Sequence, residues 1–277
     1  MKTLVLAFLT LFCIVTTPAS SRSEPAEHTY CRNGGQEQKL DLYKSAPGIV
    51  SPGTIIYIHG GGYTEGDKRS GFELRRAKLL TQFGFSVVSI NYRLAPQAVF
   101  PAQYADAGCA VKYLYDNATR LGINMSWLGV MGDSAGGHLA ALLGVTSDLG
   151  PGVPVSAIVA FYGAYDLVNM EKDTLLPQAI ASALPTKELR STWSPIRYVT
   201  RNDPPFLLIH GKQDKFVSVA QSVKFALALK KAGHEPLLAV VENAGHGLVE
   251  RTGSINPDAA TIDKLMVGFF LKSAGRK

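Results

Sequence analysis

The chain predicts an α/β fold with a mostly parallel central sheet and helices on both faces. Three observations carry this. Short apolar runs alternate with longer amphipathic or alanine-rich stretches. The apolar runs lack the in–out alternation of a one-sided sheet, as strands covered on both faces do. At 277 residues, 46% hydrophobic and 18% charged, with no internal repeat or low-complexity tract, the composition is that of an ordinary globular chain.

Strands are expected at residues 54–59, 86–91, 127–131, 155–162, 206–210 and 237–241. Helices fill the gaps at about 71–83, 101–118, 134–146, 219–232 and 257–273. Pro101 suits a first helical turn, and Gly84 and Gly233 suit helix C-termini. Ahead of the first of these strands, residues 27–43 read as an antiparallel pair at the sheet edge, turning at Asn33-Gly34-Gly35. The stretch between the strands ending near Tyr162 and starting at Phe206 is too long for a simple crossover. It predicts a small cap insertion, about residues 166–204, over the carboxyl edge of the sheet. No linker divides the remainder, so residues 21–277 are expected to form a single domain.

The first twenty residues differ from the rest. Lys2, an apolar run over residues 4–15 and the small residues Thr17-Pro18-Ala19-Ser20-Ser21 read as a secretory signal peptide. The run is short for a bilayer span, and an uncleaved anchor is the alternative. The expected location is therefore secreted or periplasmic, with no membrane span after cleavage. Cys31 and Cys109 then remain: an oxidising compartment lets them pair, while Cys109, in a predicted helix, reads equally well as a small buried hydrophobe. Asn117-Ala118-Thr119 and Asn124-Met125-Ser126 fit the N-glycosylation pattern, relevant only in a eukaryotic source. The net charge of +6 is spread along the chain. Lys68, Arg69, Arg75, Arg76 and Lys78 cluster without interleaved aromatics and read as a solvated helix face, so nucleic acid is not an expected partner.

The most informative segment is Gly132-Asp133-Ser134-Ala135-Gly136, between an apolar strand and a small-residue helix. Strand, G-x-S-x-G, helix is the context of a nucleophile elbow, in which a sharp turn lifts the serine Oγ above the sheet. A serine hydroxyl needs a base in hydrogen-bond reach and a third group to orient that base, and in this arrangement the chain order is serine, acid, histidine. His246, in a glycine-flanked loop after the last strand, is the expected base; His210 and His234 read as structural or exposed. Asp214, four residues after a strand, is the expected acid, with Asp166 as the alternative. Glu242 is too local to His246, and Asp203 enters its strand from the wrong end.

His59-Gly60-Gly61-Gly62-Tyr63 follows a strand directly. Its glycines let backbone N–H groups approach a substrate, so Gly61 and Gly62, with Ala135, are the expected oxyanion-hole donors. No lysine follows as in a phosphate-binding loop. His59 reads as a brace for this loop, Asp133 as a structural hydrogen-bonding residue, and Glu65 and Asp67 as solvated loop charges. Tyr63 and Trp193 read either as substrate-binding pocket walls or as core aromatics. No Cys/His cluster or H-E-x-x-H pattern suggests a metal site, and no cofactor is expected.

With these residues in view, the chain resembles the α/β-hydrolase superfamily. His59-Gly60-Gly61-Gly62-Tyr63, Asn91-Tyr92-Arg93-Leu94-Ala95-Pro96 and Gly132 to Gly137 look like hormone-sensitive-lipase-type esterases. His138, Ser194-Pro195-Ile196 and the run from Pro205 to Asp214 are more similar to the feruloyl and acetyl xylan esterase-like group. An acid in H-G-x-x-D and the lack of a long N-terminal helical cap both tilt the resemblance to the second group. The resemblance implies an α/β-hydrolase fold and a secreted serine carboxylesterase. Its substrates would be short-chain or aromatic acyl esters, small molecules or polysaccharide-linked. The H-G-x-x-D segment also occurs in prolyl-oligopeptidase-like enzymes, so an amidase or peptidase is a second reading. A non-catalytic ligand-binding protein on the same scaffold is a third, disfavoured because serine, acid and histidine are all present.

Overall fold

A computed structural model describes residues 24–276 except 46, 72, 147–153 and 172–173. The expected signal segment lies outside these residues. Eight strands, β1 (Ala26–Asn33), β2 (Gln36–Tyr43), β3 (Thr54–Ile58), β4 (Ser86–Ile90), β5 (Leu128–Asp133), β6 (Ala157–Phe161), β7 (Phe206–Gly211) and β8 (Leu237–Val241), form one sheet. Their order is β1-β2-β4-β3-β5-β6-β7-β8. β1, β2 and β4 pair antiparallel, and every pairing from β4 through β8 is parallel.

The interior strands β3 to β7 are buried throughout, which is why they are near-continuous apolar runs. Helices cover both faces. On one side, α2 (Ala102–Leu121), α3 (Ala135–Val145) and α6 (Ala220–Lys231) pack over Ile56, Val130, Ile158 and Leu208. On the other, α1 (Leu74–Leu79) and α7 (Ala259–Ser273) pack over Ile55, Met131, Val159 and Leu207. Between β6 and β7 lie α4 (Leu176–Ala179), α5 (Lys187–Thr192) and a 3-10 turn at Pro195–Arg197. Among the described residues no helix is long and apolar enough to cross a membrane.

The chain leaves β3 toward β4 on one side and returns through β5 on the other, so the strand order reverses at the β3/β5 boundary. Such switch points open a crevice at the carboxyl ends of parallel strands. Register places Ile58 beside Gly132. The segments following these two residues, His59–Tyr63 and Asp133–Ser134, therefore emerge side by side.

Two expectations need correction. The helix expected at 71–83 is α1 followed by a separate 3-10 turn at Leu80–Phe83. The basic cluster is only partly a solvated face: Arg69, Arg75 and Lys78 are exposed, while Lys68 and Arg76 are buried. Each buried cation has two carboxylate partners. Lys68 Nζ lies 3.0 Å from Glu27 and 3.4 Å from Asp41. Arg76 pairs with Glu73 and, at 2.7 Å, with Asp263. A buried charge persists only when neutralised and hydrogen-bonded.

The open question of the cysteines is answered: Cys31 on β1 and Cys109 on α2 form a disulfide with Cα atoms 6.2 Å apart. It fastens the edge hairpin to α2, beside a link from Asn33 Nδ2 to Asp106 (3.0 Å) and an Arg93–Asp106 ion pair (2.8 Å). The side-chain amides of both sequon asparagines are engaged, Asn117 donating to the Tyr113 carbonyl and Asn124 to the Ser51 carbonyl.

Closing a loop between residues 78 apart removes denatured-state entropy worth about 4 kcal/mol. Replacing both cysteines by alanine should lower the unfolding free energy in urea by about that amount, and reductant should reproduce the loss in the parent protein.

Candidate active site

Ser134 stands where β5 becomes α3, at φ 53° and ψ −116°. This positive φ is strained for a residue with a side chain, and its surroundings impose it. A Cβ on Gly136 would collide with the Ile58 carbonyl of β3, and one on Gly132 with the Gly136 carbonyl. Only glycine permits that approach of α3 to the strands, and the turn between them must be sharp. The Ser134 amide donates to the Phe161 carbonyl (2.9 Å) and its carbonyl accepts from His138 N (3.0 Å), which pins the elbow on both sides.

His246 follows β8, and its Nε2 lies 3.0 Å from Ser134 Oγ. Its other nitrogen, Nδ1, lies 2.7 Å from Asp214 Oδ2. Asp214 follows β7, and its Oδ1 accepts from Phe216 N (2.8 Å) and Val217 N (2.9 Å). A carboxylate so held takes the Nδ1 proton as acceptor, which leaves Nε2 with the lone pair that faces the serine. Burial works against ionisation of Asp214, but hydrogen bonding to His210 and His246 outweighs it and holds the carboxyl well below its usual range. The imidazole of His246 is packed by the Tyr162 ring edge (centroids 4.8 Å) and by Phe216 (4.9 Å).

The expected oxyanion donors divide. Gly62 and Ala135 line the cleft with Ser134. Gly61 forms the turn just outside that lining, its carbonyl accepting from Thr64 N (3.0 Å) and Glu65 N (3.1 Å). Gly61, Gly62 and Tyr63 all have positive φ, at 105°, 57° and 67°. Ala135 opens α3, where the first backbone N–H groups have no intrahelical partner. His59 stacks on Tyr92 (4.3 Å) and its Nδ1 lies 2.7 Å from the Gly60 carbonyl, so it braces the loop from behind.

Tyr63 is a cleft wall. Trp193 is not: its ring packs on Phe100 and Tyr104, each at 5.1 Å, and its carbonyl lies 2.7 Å from His138 Nε2. Asp166 closes a local turn by accepting from Val168 N, Asn169 N and Asn169 Nδ2, while the carboxylate at His246 Nδ1 is that of Asp214. Glu242 pairs with Lys212, Asp203 accepts from Thr200, and His234 lies against the Thr200 carbonyl. Asp67 is tied to Asn91 Nδ2 (2.8 Å) and Arg69 N rather than fully solvated.

Sequence reasoning missed two groups. Ala164, Leu176, Ala179, Ile180, Phe216 and Val217 complete the cleft; apolar residues in the β6–β7 connection and in the loop after β7 carry no signal that separates them from core. The second is the contact of His210, read as structural or exposed, with Asp214. His210 is buried, with Nε2 3.3 Å from Asp214 Oδ2 and 2.9 Å from the Val217 carbonyl, and Nδ1 2.7 Å from Ser222 Oγ. Its place in H-G-x-x-D was the available hint.

Beneath the elbow, Asp133 is wholly buried and accepts from the Tyr57 hydroxyl. Burial pushes its carboxyl up to about 7, against the pull of the Tyr57 hydrogen bond and with a further push from Glu73. Glu73 is also raised by burial, opposed by Arg76, and accepts from Tyr162 OH at 3.0 Å.

A family model described as BD-FAE matches residues 40–229, and the chain belongs to that family. It is 32% identical to the esterase LipQ of Mycobacterium tuberculosis, over 77% of this chain and 55% of that protein. It is 31% identical to an ethyl acetate hydrolase of Pseudomonas putida, over 74% of this chain and 68% of that protein. The chain spans about half the length of the first curated relatives it matches. Among solved structures, a truncated carbohydrate esterase from gut microbiota superposes with a TM-score of 0.77 at 26% identity, covering 93% of this chain and 99% of that one. Esterase 2 of Thermogutta terrifontis, 23% identical with a TM-score of 0.74 over 91% of this chain and 93% of that one, shares the fold.

Asp133 should leave a signature in the pH dependence of stability. Its carboxyl is raised in the fold, so the folded protein holds a proton that the unfolded chain has lost between pH about 4 and about 7. Stability from this group is therefore greatest at the acid end of that window and falls as pH rises through it. Asp133→Asn removes the titration, so its melting temperature should rise relative to the parent from pH 5 to pH 8; a pH-independent difference would contradict the assignment.

Proposed function

We propose that this member of the BD-FAE family is a secreted serine carboxylesterase working through an acyl-enzyme. Its substrates are proposed to be short-chain or aromatic acyl esters, small molecules or carried on carbohydrate. The observation that carries the reading is the continuous hydrogen-bonded relay Ser134–His246–Asp214 at the edge of a cleft that holds Gly62 and Ala135. Relatives named esterases and a structural neighbour named a carbohydrate esterase support the reaction class.

In this reading Ser134 Oγ attacks the ester carbonyl carbon while its proton passes to His246 Nε2. The carbonyl oxygen becomes an oxyanion held by the backbone N–H groups of Gly62 and Ala135, which line the cleft beside Ser134. The imidazolium is stabilised by Asp214, which stays ionised. Collapse breaks the bond to the alcohol oxygen, which takes the proton from His246. Water then repeats the sequence on the acyl-serine, giving up its proton to His246 and releasing the acid and free Ser134. A secreted location is supported by the disulfide, which needs an oxidising compartment, and by the apolar run at residues 4–15 followed by small residues.

Ser134→Ala and His246→Ala should each lower kcat on p-nitrophenyl acetate by about 10⁵–10⁶-fold, and the double variant by little more. Asp214→Asn should lower it by about 10⁴-fold. A nearly silent Asp214→Asn with a severe Asp166→Asn would move the acid to Asp166. Turnover of an arylformamide or a dipeptidyl anilide with none of the acetate ester would replace the esterase reading with the amidase or peptidase one.

A further inference from the structure

Asp214 stands between two imidazoles. His246 Nδ1 lies 2.7 Å from its Oδ2, and His210 Nε2 lies 3.3 Å from the same oxygen. The two rings differ in what lies beyond them. His246 Nε2 faces Ser134 Oγ at 3.0 Å, whereas His210 Nδ1 faces Ser222 Oγ on α6 at 2.7 Å. His210 and Ser222 are wholly buried, so no substrate reaches this second hydroxyl–imidazole pair. Neither group enters the proton transfers of the acyl-enzyme cycle.

Geometry fixes what His210 can do. Its Nε2 faces the Val217 carbonyl at 2.9 Å as well as Asp214 Oδ2. A carbonyl and a carboxylate only accept, so Nε2 carries a proton. In the neutral ring Nδ1 is then an acceptor, and the Ser222 hydroxyl donates to it. Val217 is gripped at both ends: its carbonyl accepts from His210, and its N–H donates to Asp214 Oδ1 at 2.9 Å. The turn from Asp214 to Val217 is thereby clamped onto the end of β7. Gly211 admits the loop that carries the base, since a Cβ there would stand 2.5 Å from the Gly245 carbonyl. Gln213 N donates to the Ala244 carbonyl at 2.8 Å and ties the same two loops together.

We propose that His210, set by Ser222, is a positioning residue that fixes the Asp214 carboxylate against His246 Nδ1. The proposal rests on Asp214 being the acid of the proposed esterase. The His210 Nε2–H holds the turn that carries Asp214 and presents the positive edge of the ring to Oδ2. The carboxylate therefore keeps one orientation while His246 gains and loses its proton. Outer partners that orient a working side chain act in this way elsewhere. In H-G-x-x-D the histidine orients, the glycine lets the His246 loop approach, and the aspartate pairs with the base.

The test is a double-mutant cycle on p-nitrophenyl acetate, with kcat taken per folded molecule from a parallel urea titration. His210→Leu should lower kcat by about 10–100-fold while leaving KM within about twofold of the parent. His210→Gln, whose amide N–H can stand in for Nε2–H, should recover most of that loss. Ser222→Ala should lower kcat by about three- to tenfold. In an Asp214→Asn background His210→Leu and Ser222→Ala should each cost less than about twofold, because the carboxylate they orient is gone. The His246 Nδ1 proton resonance, identified by its loss in His246→Ala, should shift in His210→Leu and return in His210→Gln. Full kcat in His210→Leu, equal losses with and without Asp214→Asn, or His210→Gln as slow as His210→Leu would overturn the role. Each of these leaves the Ser134–His246–Asp214 relay intact. Should His210→Leu not fold, Ser222→Ala carries the same cycle, and undiminished kcat there overturns the proposal. Absence of all ester turnover in the parent would instead remove the esterase reading, and this role with it.

Discussion

Everything at the carboxyl edge of the sheet depends on how closely α3 crosses β3 and β5. The Gly136 backbone rests on the Ile58 carbonyl and the Gly132 backbone on Gly136. No side chain fits either gap, so the chain must turn sharply at Ser134 and accept a positive φ there. That one packing constraint sets the height of Oγ above the sheet. It also brings the free N–H end of α3 beside the glycine loop after β3. His246 and Asp214 can meet the serine because β7 and β8 end at the same edge, two and three strands away from β5.

Beneath the elbow lies a buried layer of hydrogen-bonded polar side chains. Under the elbow Tyr57 donates to Asp133, and beside this pair Glu73 takes Tyr162 and Arg76, with Arg76 continuing to Asp263 on α7. Tyr162 joins this layer to the site directly, its hydroxyl on Glu73 and its ring against His246. Buried polar networks of this kind are rigid when every member is satisfied. Here the layer fixes the floor on which the imidazole stands.

Much of this was legible in the sequence, for physical reasons. Strands buried on both faces are largely apolar, so β3, β4 and β7 stand out as runs within one residue of their observed bounds, and β5 within two. The elbow and glycine loop are local, and local stereochemistry leaves local signatures. What stayed hidden depends on partners far away in the chain. Arg76 reads as a solvated helix charge because its carboxylate on α7 lies 187 residues on. The Cys31–Cys109 pairing needed the packing of the edge hairpin on α2. Trp193 reads equally as a pocket wall or core, and its choice of Phe100 and Tyr104 is a matter of tertiary packing. The apolar wall of the cleft had no local mark beyond the length of the connection that carries it.

Ser134, with His246 Nε2 at 3.0 Å from its Oγ, is the proposed nucleophile. Mapping the site of a fluorophosphonate adduct by peptide mass spectrometry tests it most directly. One adduct per chain is expected, on Ser134, and none in His246→Ala. A folded protein that gains no adduct, or gains it on another residue, would contradict it.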